Sequence, residues 1–259
     1  MMRKMLALIT GGSSGMGLEF SRQLARLGYD LVLVSNRQEE LDAAAEAITA
    51  EFQVSVTTRF QDLACTEAAD RLFAWCTQEL NVLPDVLIND AGMFFFKELT
   101  AADLARVQAM IDLHVVTVTR MCILFGDAMK QRGSGRILNV SSMAARLPAP
   151  GITVYSATKA YLKSFGHSLS FELKPYGVTV TTVCPAAIAT PLYRLDAKKM
   201  QLGIRLGLIH TPRWLVKRAL RAMFRGRRVI CPACMNFWLP PMIALLPGCI
   251  EDALWKKLK

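Results

Sequence analysis

Acidic residues are scarce where basic ones crowd. Residues 194–259 carry 3 Asp/Glu against 14 Lys/Arg, while residues 1–193 carry 18 against 17, so the net charge of +10 belongs to the C-terminal quarter. The body of the chain therefore lacks the basic, aromatic platform of a nucleic-acid binder, and no nucleic-acid partner is expected. An anionic partner, a membrane surface first, is left to the tail alone. Low-complexity tracts and internal repeats are absent, which excludes collagen-like and solenoid architectures. With 53% hydrophobic residues, the chain is too apolar to be disordered. Its 259 residues can bury a core without disulfide or metal staples.

The seven cysteines form no framework. Their odd number and scatter through apolar segments (65, 76, 122, 184, 231, 234 and 249) read as reduced, buried, intracellular thiols. Cys231-Pro-Ala-Cys234 is the one close pair. No further ligands stand nearby at zinc spacing, and the pair sits too late in the chain for a thioredoxin-like site, so no metal is expected. His167 and His210 likewise lack partners at ligand spacing. No secretory leader is expected either, because Met5–Ile9 is too short an apolar stretch. The expectation is a cytoplasmic chain, peripheral to the inner face of a membrane if the tail binds lipid.

What is present is an alternation of short apolar runs and long helical patterns. Strands are predicted at Met5–Thr10, Asp30–Ser35, Val54–Phe60, Asp85–Asn89, Arg136–Ser141, Val178–Cys184 and Arg227–Cys231. Helices are predicted near 17–27, 38–52, 66–80, 101–131, 155–174 and 212–225. Runs such as Leu31–Val34 are apolar without alternation, as in a parallel sheet covered on both faces. This pattern implies an α/β fold, a Rossmann-type doubly wound sheet of about seven strands. No linker divides residues 1–259, so one domain is expected. Residues 191–226 are read as a substrate lid, its weakest-patterned part being 191–211, and 232–259 as an apolar, basic extension.

The first strand runs into Thr10-Gly11-Gly12-Ser13-Ser14-Gly15-Met16-Gly17, and a helix follows at once. Glycines at 11, 15 and 17 permit a tight turn, close approach of backbone to a pyrophosphate, and close helix–strand packing. The loop lacks the Lys-Ser/Thr ending of a nucleotide-hydrolysing phosphate loop. The second strand ends Ser35-Asn36-Arg37, where an NAD-specific site would place an acid. Ser35, Asn36 and Arg37 can instead hold a 2′-phosphate, which favours NADP(H) and leaves NAD(H) open. The alternative is that Arg37 only begins a solvated helix face. Tyr155 and Lys159 are four apart on one helix face, and Ser142 ends a strand thirteen residues earlier.

At this point the chain resembles the short-chain dehydrogenase/reductase family, in its short single-domain branch. The resemblance covers roughly residues 4–191 and returns weakly around 211–234. It rests on Thr10–Gly17, Asp62-Leu63, Asn89-Asp90-Ala91-Gly92, the trio Ser142, Tyr155 and Lys159, and Pro185-Ala186 through Ile188 and Thr190. It implies a catalytic role for the trio. For cofactor binding it implies the glycine loop with Ser13, Ser14 and Met16, together with Asp62, Leu63, Asn89, Ala91, Gly92, Tyr155, Lys159, Pro185, Ile188 and Thr190. It also implies a homodimer or homotetramer. Three departures stand out: Asp90 for Asn, Ala186 for Gly, and His114 where the family carries its catalytic Asn. An imidazole at 114 could keep a proton relay to Lys159 or could simply pack in its helix.

The implied chemistry is reversible ketone reduction. Lys159 favours the phenolate of Tyr155 and binds ribose hydroxyls, Tyr155 exchanges the proton, and Ser142 stabilises the developing alkoxide. Phe94-Phe95-Phe96 either lines an apolar substrate cleft or tucks onto the core. These features lean toward lipid-like ketones such as 3-oxoacyl chains, sphingoid bases or steroids. The competing readings are a non-catalytic NADP(H)-binding regulator and a membrane-docking protein. For the second, Val229–Ile250 holds no charge over 22 positions, but four prolines argue against a straight spanning helix. Arg225, Arg227, Arg228 and Lys256, Lys257, Lys259 flank it, which suits anionic headgroups.

Overall fold

The computed structural model describes residues 4–147, 149–190 and 196–233, and isolated positions beyond (237, 239, 242, 245, 248, 250 and 256). Its centre is β1 (Leu6–Thr10), whose side chains alternate between two cores. Ala7 and Ile9 join one buried cluster, Leu8 the other. The same division recurs in β2 (Asp30–Ser35), with Leu31 and Leu33 on one side and Val32 and Val34 on the other. Apolar residues on both faces leave neither face to water, so helices cover both.

The remaining strands are β3 (Val56–Phe60), β4 (Val86–Asn89), β5 (Gly135–Val140), β6 (Val178–Val183) and β7 (Val229–Ile230). All pair in parallel, in the order β3-β2-β1-β4-β5-β6-β7. The chain thus switches direction between β1 and β4, and a crevice opens beyond their carboxyl ends, where such sheets bind ligands. The Rossmann-type reading holds. The last strand, Val229–Ile230, is shorter than the expected Arg227–Cys231.

One face carries α1 (Gly15–Arg26), α2 (Gln38–Phe52) and, from the far end of the chain, α8 (Pro212–Phe224). The other carries α3 (Ala68–Ala74), α4 (Leu104–Ile111), α5 (Val118–Arg132) and α6 (Thr153–Leu173). A short α7 (Ala197–Arg205) precedes α8. Helix α8 buries Leu215, Val216, Ala219 and Met223 in the core. The lid expected over 191–226 is corrected accordingly: the 212–224 portion is a core layer, and only 191–211 keeps that reading, with 191–195 outside the described residues.

The helix expected over 101–131 is present but not uniform. A 3-10 turn (Ala101–Asp103) starts it, and a π turn (Asp112–Thr117) joins α4 to α5. Among the described residues, Ala101–Arg132 is the one helix long and apolar enough to cross a bilayer, and half of its most apolar window is buried in protein. Met121, Cys122, Phe125 and Met129 are core side chains there. Of the sequence-read apolar tail, Cys234, Trp238 and most of the stretch to Leu246 lie outside the described residues. The described positions Phe237, Met242, Leu245 and Ile250 are exposed.

Candidate active site

The crevice beyond β1 and β4 is a cleft of about 320 Å³. Its near wall is the glycine loop. Gly11 has a φ of +70° and lies against the backbone of Ala91, a combination that excludes a side chain. A Cβ on Gly17 would run into the carbonyl of Gly11, so α1 can approach its strand only with glycine there. Thr10 Oγ1 accepts hydrogen bonds from the amides of Asp90 and Ala91, both at 3.1 Å, and so ties the loop to the 90–92 segment.

Helix α1 begins with open donors. Its N-cap Ser14 makes no capping hydrogen bond with its side chain, and no acid stands in the first turn. Ser14, Gly15 and Met16 line the cleft, so the helix terminus offers its N–H groups and positive dipole end to an anion there.

Arg37, exposed, reaches the same cleft, with Nη1 donating to Glu40 Oε1 at 2.8 Å. Exposed pairs of this kind contribute little and are readily exchanged for a better anion. The neighbouring hydroxyls are engaged otherwise. Ser13 and Ser35 are buried and hydrogen-bonded to each other at 2.9 Å, while Asn36 is exposed.

Around the reacting end, α6 brings Tyr155 and Lys159 to the cleft on successive turns, both buried. Lys159 Nζ donates to the carbonyl of Val140 at 3.0 Å. Burial lowers the ammonium to about 8, partly offset by the carboxylate of Asp90. Ser142, at the end of β5, caps the 3-10 turn Met143–Arg146, its Oγ accepting from the Ala144 amide at 3.1 Å. Phe94 stands edge-on to the Tyr155 ring at 5.0 Å between centroids. Phe95 is buried with Met110 and Tyr155, and Phe96 is exposed. The triple-Phe segment is thus split: Phe94 walls the cleft and Phe95 packs behind it.

His114 is fully buried in the π turn. Its Nε2 accepts from the Met93 amide at 3.0 Å, so the ring proton lies on Nδ1, which donates to Thr158 Oγ1 at 3.0 Å. Thr158 Oγ1 in turn donates to the carbonyl of Tyr155 at 2.8 Å. Burial, and then the charge of Lys159, hold the imidazole well below its usual range, so the ring is neutral. Both nitrogens are committed. The geometry fits a clamp between the Gly92–Met93 segment and α6.

Of the residues singled out by sequence, the cleft brings together Gly11, Ser14, Gly15, Met16, Arg37, Ala91, Gly92, His114, Ser142, Tyr155, Lys159, Pro185, Ile188 and Thr190. Ser13, Gly17, Ser35, Asn36, Asp62, Leu63 and Asn89 are not part of this lining. Asn89 is buried beneath it, donating to Asn139 Oδ1 at 2.8 Å, and Leu63 offers its carbonyl to Thr117 Oγ1. Asp62 accepts from the Ala64 amide on an exposed loop. Sequence reading did not single out Arg106, whose guanidinium lies over Phe95 at the mouth, because an Arg on a helix reads as solvated surface. It gave Asp90 only as a departure from the family's Asn. In the fold, Asp90 lies half-buried in the cleft wall, its Oδ1 is buried with no hydrogen-bond partner among the described residues, and desolvation raises its carboxyl to about 7.

The profile of the short chain dehydrogenase family matches residues 5–201. The chain belongs to this family. A very-long-chain 3-oxoacyl-CoA reductase of Bos taurus is 34% identical over 193 residues, 73% of this chain and 61% of that one. A 17-beta-hydroxysteroid dehydrogenase type 3 of Danio rerio is 31% identical over 192 residues, 72% and 61% of the two chains. The chain therefore spans about three fifths of these curated relatives. Among solved structures, a short-chain dehydrogenase from Sphingobium yanoikuyae in complex with NADPH superposes with a TM-score of 0.77 at 28% identity, covering 98% of this chain and 93% of that one.

Proposed function

We propose that this short-chain dehydrogenase is an NADPH-dependent reductase of hydrophobic, lipid-like ketones, working reversibly on the corresponding secondary alcohols. The observation that carries the reading is the shared cleft: Ser142, Tyr155 and Lys159 line it together with the open terminus of α1 and Arg37. The names of the relatives, a 3-oxoacyl-CoA reductase and a hydroxysteroid dehydrogenase, support the substrate class, and the NADPH complex of a structural neighbour supports the cofactor.

The residues present fit a dinucleotide. The first turn of α1 and the glycine loop can hold its pyrophosphate, Arg37 a 2′-phosphate, and Lys159 its ribose hydroxyls. When bound, NADPH supplies the hydride. Ser142 then hydrogen-bonds the substrate oxygen, and Tyr155 gives it a proton as charge develops. Lys159, cationic at neutral pH, stabilises the phenolate left behind. Phe94 and Met93 exclude water from that side of the cleft.

The same proposal includes a second copy of the chain against α5 and α6, where Ile123, Tyr161 and Phe171 are exposed. It also includes a cytoplasmic placement with peripheral membrane contact through the C-terminal extension.

The test is a panel of 3-oxoacyl thioesters, steroid ketones and small polar ketones, followed by NADPH absorbance with NADH as control. Turnover is expected on the apolar members, faster with NADPH. Tyr155→Phe should lower it by ~10²-fold or more while leaving NADPH binding largely intact. A protein that binds NADPH but turns over none of the panel would be a regulator instead.

A further inference from the structure

We propose that Cys184 and Cys231 form an oxidisable dithiol, which a hydroperoxide converts to an intramolecular disulfide beside the cofactor cleft. The pairing comes from strand register. Thr182 lies opposite Val229 and Val183 opposite Ile230, and the amide of Cys184 donates to the carbonyl of Ile230 at 2.8 Å. The next opposed pair is Cys184 and Cys231. Neighbouring strands run about 4.8 Å apart, within the Cα separation that a disulfide bridges. The two thiols are already hydrogen-bonded to each other. In the sequence Cys234 is the near neighbour of Cys231, whereas the sheet sets Cys184 opposite it.

The two sulfurs are unequal, as a thiol–disulfide couple requires. Cys231 is half-buried, and the groups facing it are the Cys184 thiol, Lys163 and Arg146. The hydrogen bond from Cys184, followed by these two cations, lowers Cys231 below an ordinary thiol. Cys184 is buried against Ser141 and keeps its proton, held up by its bond to Cys231 and by burial. Cys231 is thus the nucleophile and Cys184 the resolving thiol.

In the first step the Cys231 thiolate attacks the peroxide, the O–O bond breaks, and the departing hydroxide takes a proton from solvent. This leaves a sulfenic acid and water. In the second, the Cys184 sulfur displaces hydroxide from the Cys231 sulfur, and its own proton leaves with that hydroxide as water. Two electrons pass from the sulfurs, reducing one hydrogen peroxide to two waters.

The link would bear on the cleft from two directions. Cys184 precedes Pro185, the start of the 185–190 strip along the cleft wall. Ser141, which faces Cys184, donates from Oγ to the carbonyl of Lys159 at 2.6 Å. Drawing the sulfurs to bonding distance therefore pulls on the strip and on the backbone of Lys159.

The experiment treats the full chain with hydrogen peroxide, blocks remaining thiols and maps peptides by mass spectrometry, with NADPH binding measured in parallel. A Cys184–Cys231 link is expected. Iodoacetamide should label Cys231 at neutral pH about tenfold faster than Cys65, which is half-buried like it. NADPH should bind the oxidised protein at least about threefold more weakly, with recovery in dithiothreitol. In Cys231→Ser, peroxide should leave both Cys184 and NADPH affinity unchanged; Cys184→Ala, which keeps Cys231, should trap the sulfenic acid. A Cys231–Cys234 link, no link, or labelling no faster than Cys65 would overturn the proposal. A complete Cys184–Cys231 link with unaltered NADPH binding would overturn its coupling to the cleft.

Discussion

His114 Nδ1 and Thr158 Oγ1 lie 3.0 Å apart, and this contact ties the π turn to the helix that carries Tyr155 and Lys159. Because Nε2 accepts from Met93, the imidazole spans two segments of the cleft as a fixed neutral tautomer. A positioning role follows. His114→Leu leaves the Met93 amide and the Thr158 hydroxyl without these partners, at about 1–3 kcal/mol for each buried group. Turnover should fall by ~10-fold or more along with stability. His114→Asn can keep the Thr158 bond through its amide and should retain most activity. The pH profile discriminates: wild type and His114→Asn should share their inflections. A shift between them near the imidazole range would restore the proton relay.

Arg37 and Glu40 hold each other at 2.8 Å at the start of α2. A 2′-phosphate must draw Arg37 from that pair and sits near the acid as it does so. Arg37→Ala should weaken NADPH by ~1–3 kcal/mol, the scale of a charged hydrogen bond, and leave NADH nearly unchanged. Glu40→Gln should tighten NADPH relative to NADH. Equilibrium titration of both cofactors checks the pair of variants, and equal losses for NADPH and NADH in Arg37→Ala would defeat the assignment.

Asp90 and Lys159 share one buried wall, with the acid raised to about 7 and the ammonium lowered to about 8. The signs decide a stability profile. An acid with a raised folded value binds its proton more tightly when folded, so stability falls as pH climbs from about 4 to 7. A lysine with a lowered folded value releases its proton more readily when folded, so stability recovers between about 8 and 10.5. His114, neutral when folded, gives the opposite slope below the usual imidazole range, so the acid limb is read from the difference between variant and wild type rather than from the wild-type curve. Asp90→Asn removes the acid limb, so its Tm minus that of wild type should be more positive at pH 7 than at pH 4. A difference that does not change with pH would count against the buried carboxylate.

The strands were legible because their apolar runs are continuous and short, and Leu31–Val34 reads the same whichever face is inspected. The trio and the glycine loop were legible because each spacing runs along a short, continuous stretch of chain, from β5 into α6 and from β1 into α1. The unread features depend on relations between elements. No local pattern marks the π turn at Asp112–Thr117, since a one-residue bulge hardly disturbs a helical period. The pairing of Ser13 with Ser35 needs the β1–β2 register, and that of Cys184 with Cys231 needs β6–β7. Asp90 looked conservative by residue type; its orphaned oxygen is a property of burial. The assignment of α8 as lid failed because the amphipathic stripe of Leu215, Val216 and Ala219 does not say which sheet face it covers.

The C-terminal extension carries the remaining prediction. Phe237, Met242, Leu245 and Ile250 are exposed, and basic clusters flank this apolar stretch in the sequence. Single exposed apolar residues are ordinary, but several in one segment between cations suit an interfacial contact with anionic lipid. The protein should co-sediment with liposomes containing anionic lipid at low salt and be released as salt screens the cations. Each Lys near such a surface contributes about 1 kcal/mol, so changing Lys256, Lys257 and Lys259 to Gln should lower partitioning by at least ~10-fold. These substitutions keep the apolar residues, so lost binding would come from charge rather than from lost packing. Neutral liposomes should bind weakly in both cases. If the intact protein stays in the supernatant with anionic liposomes at low salt, the extension serves the substrate mouth or a second copy, and the basic clusters are solvated surface.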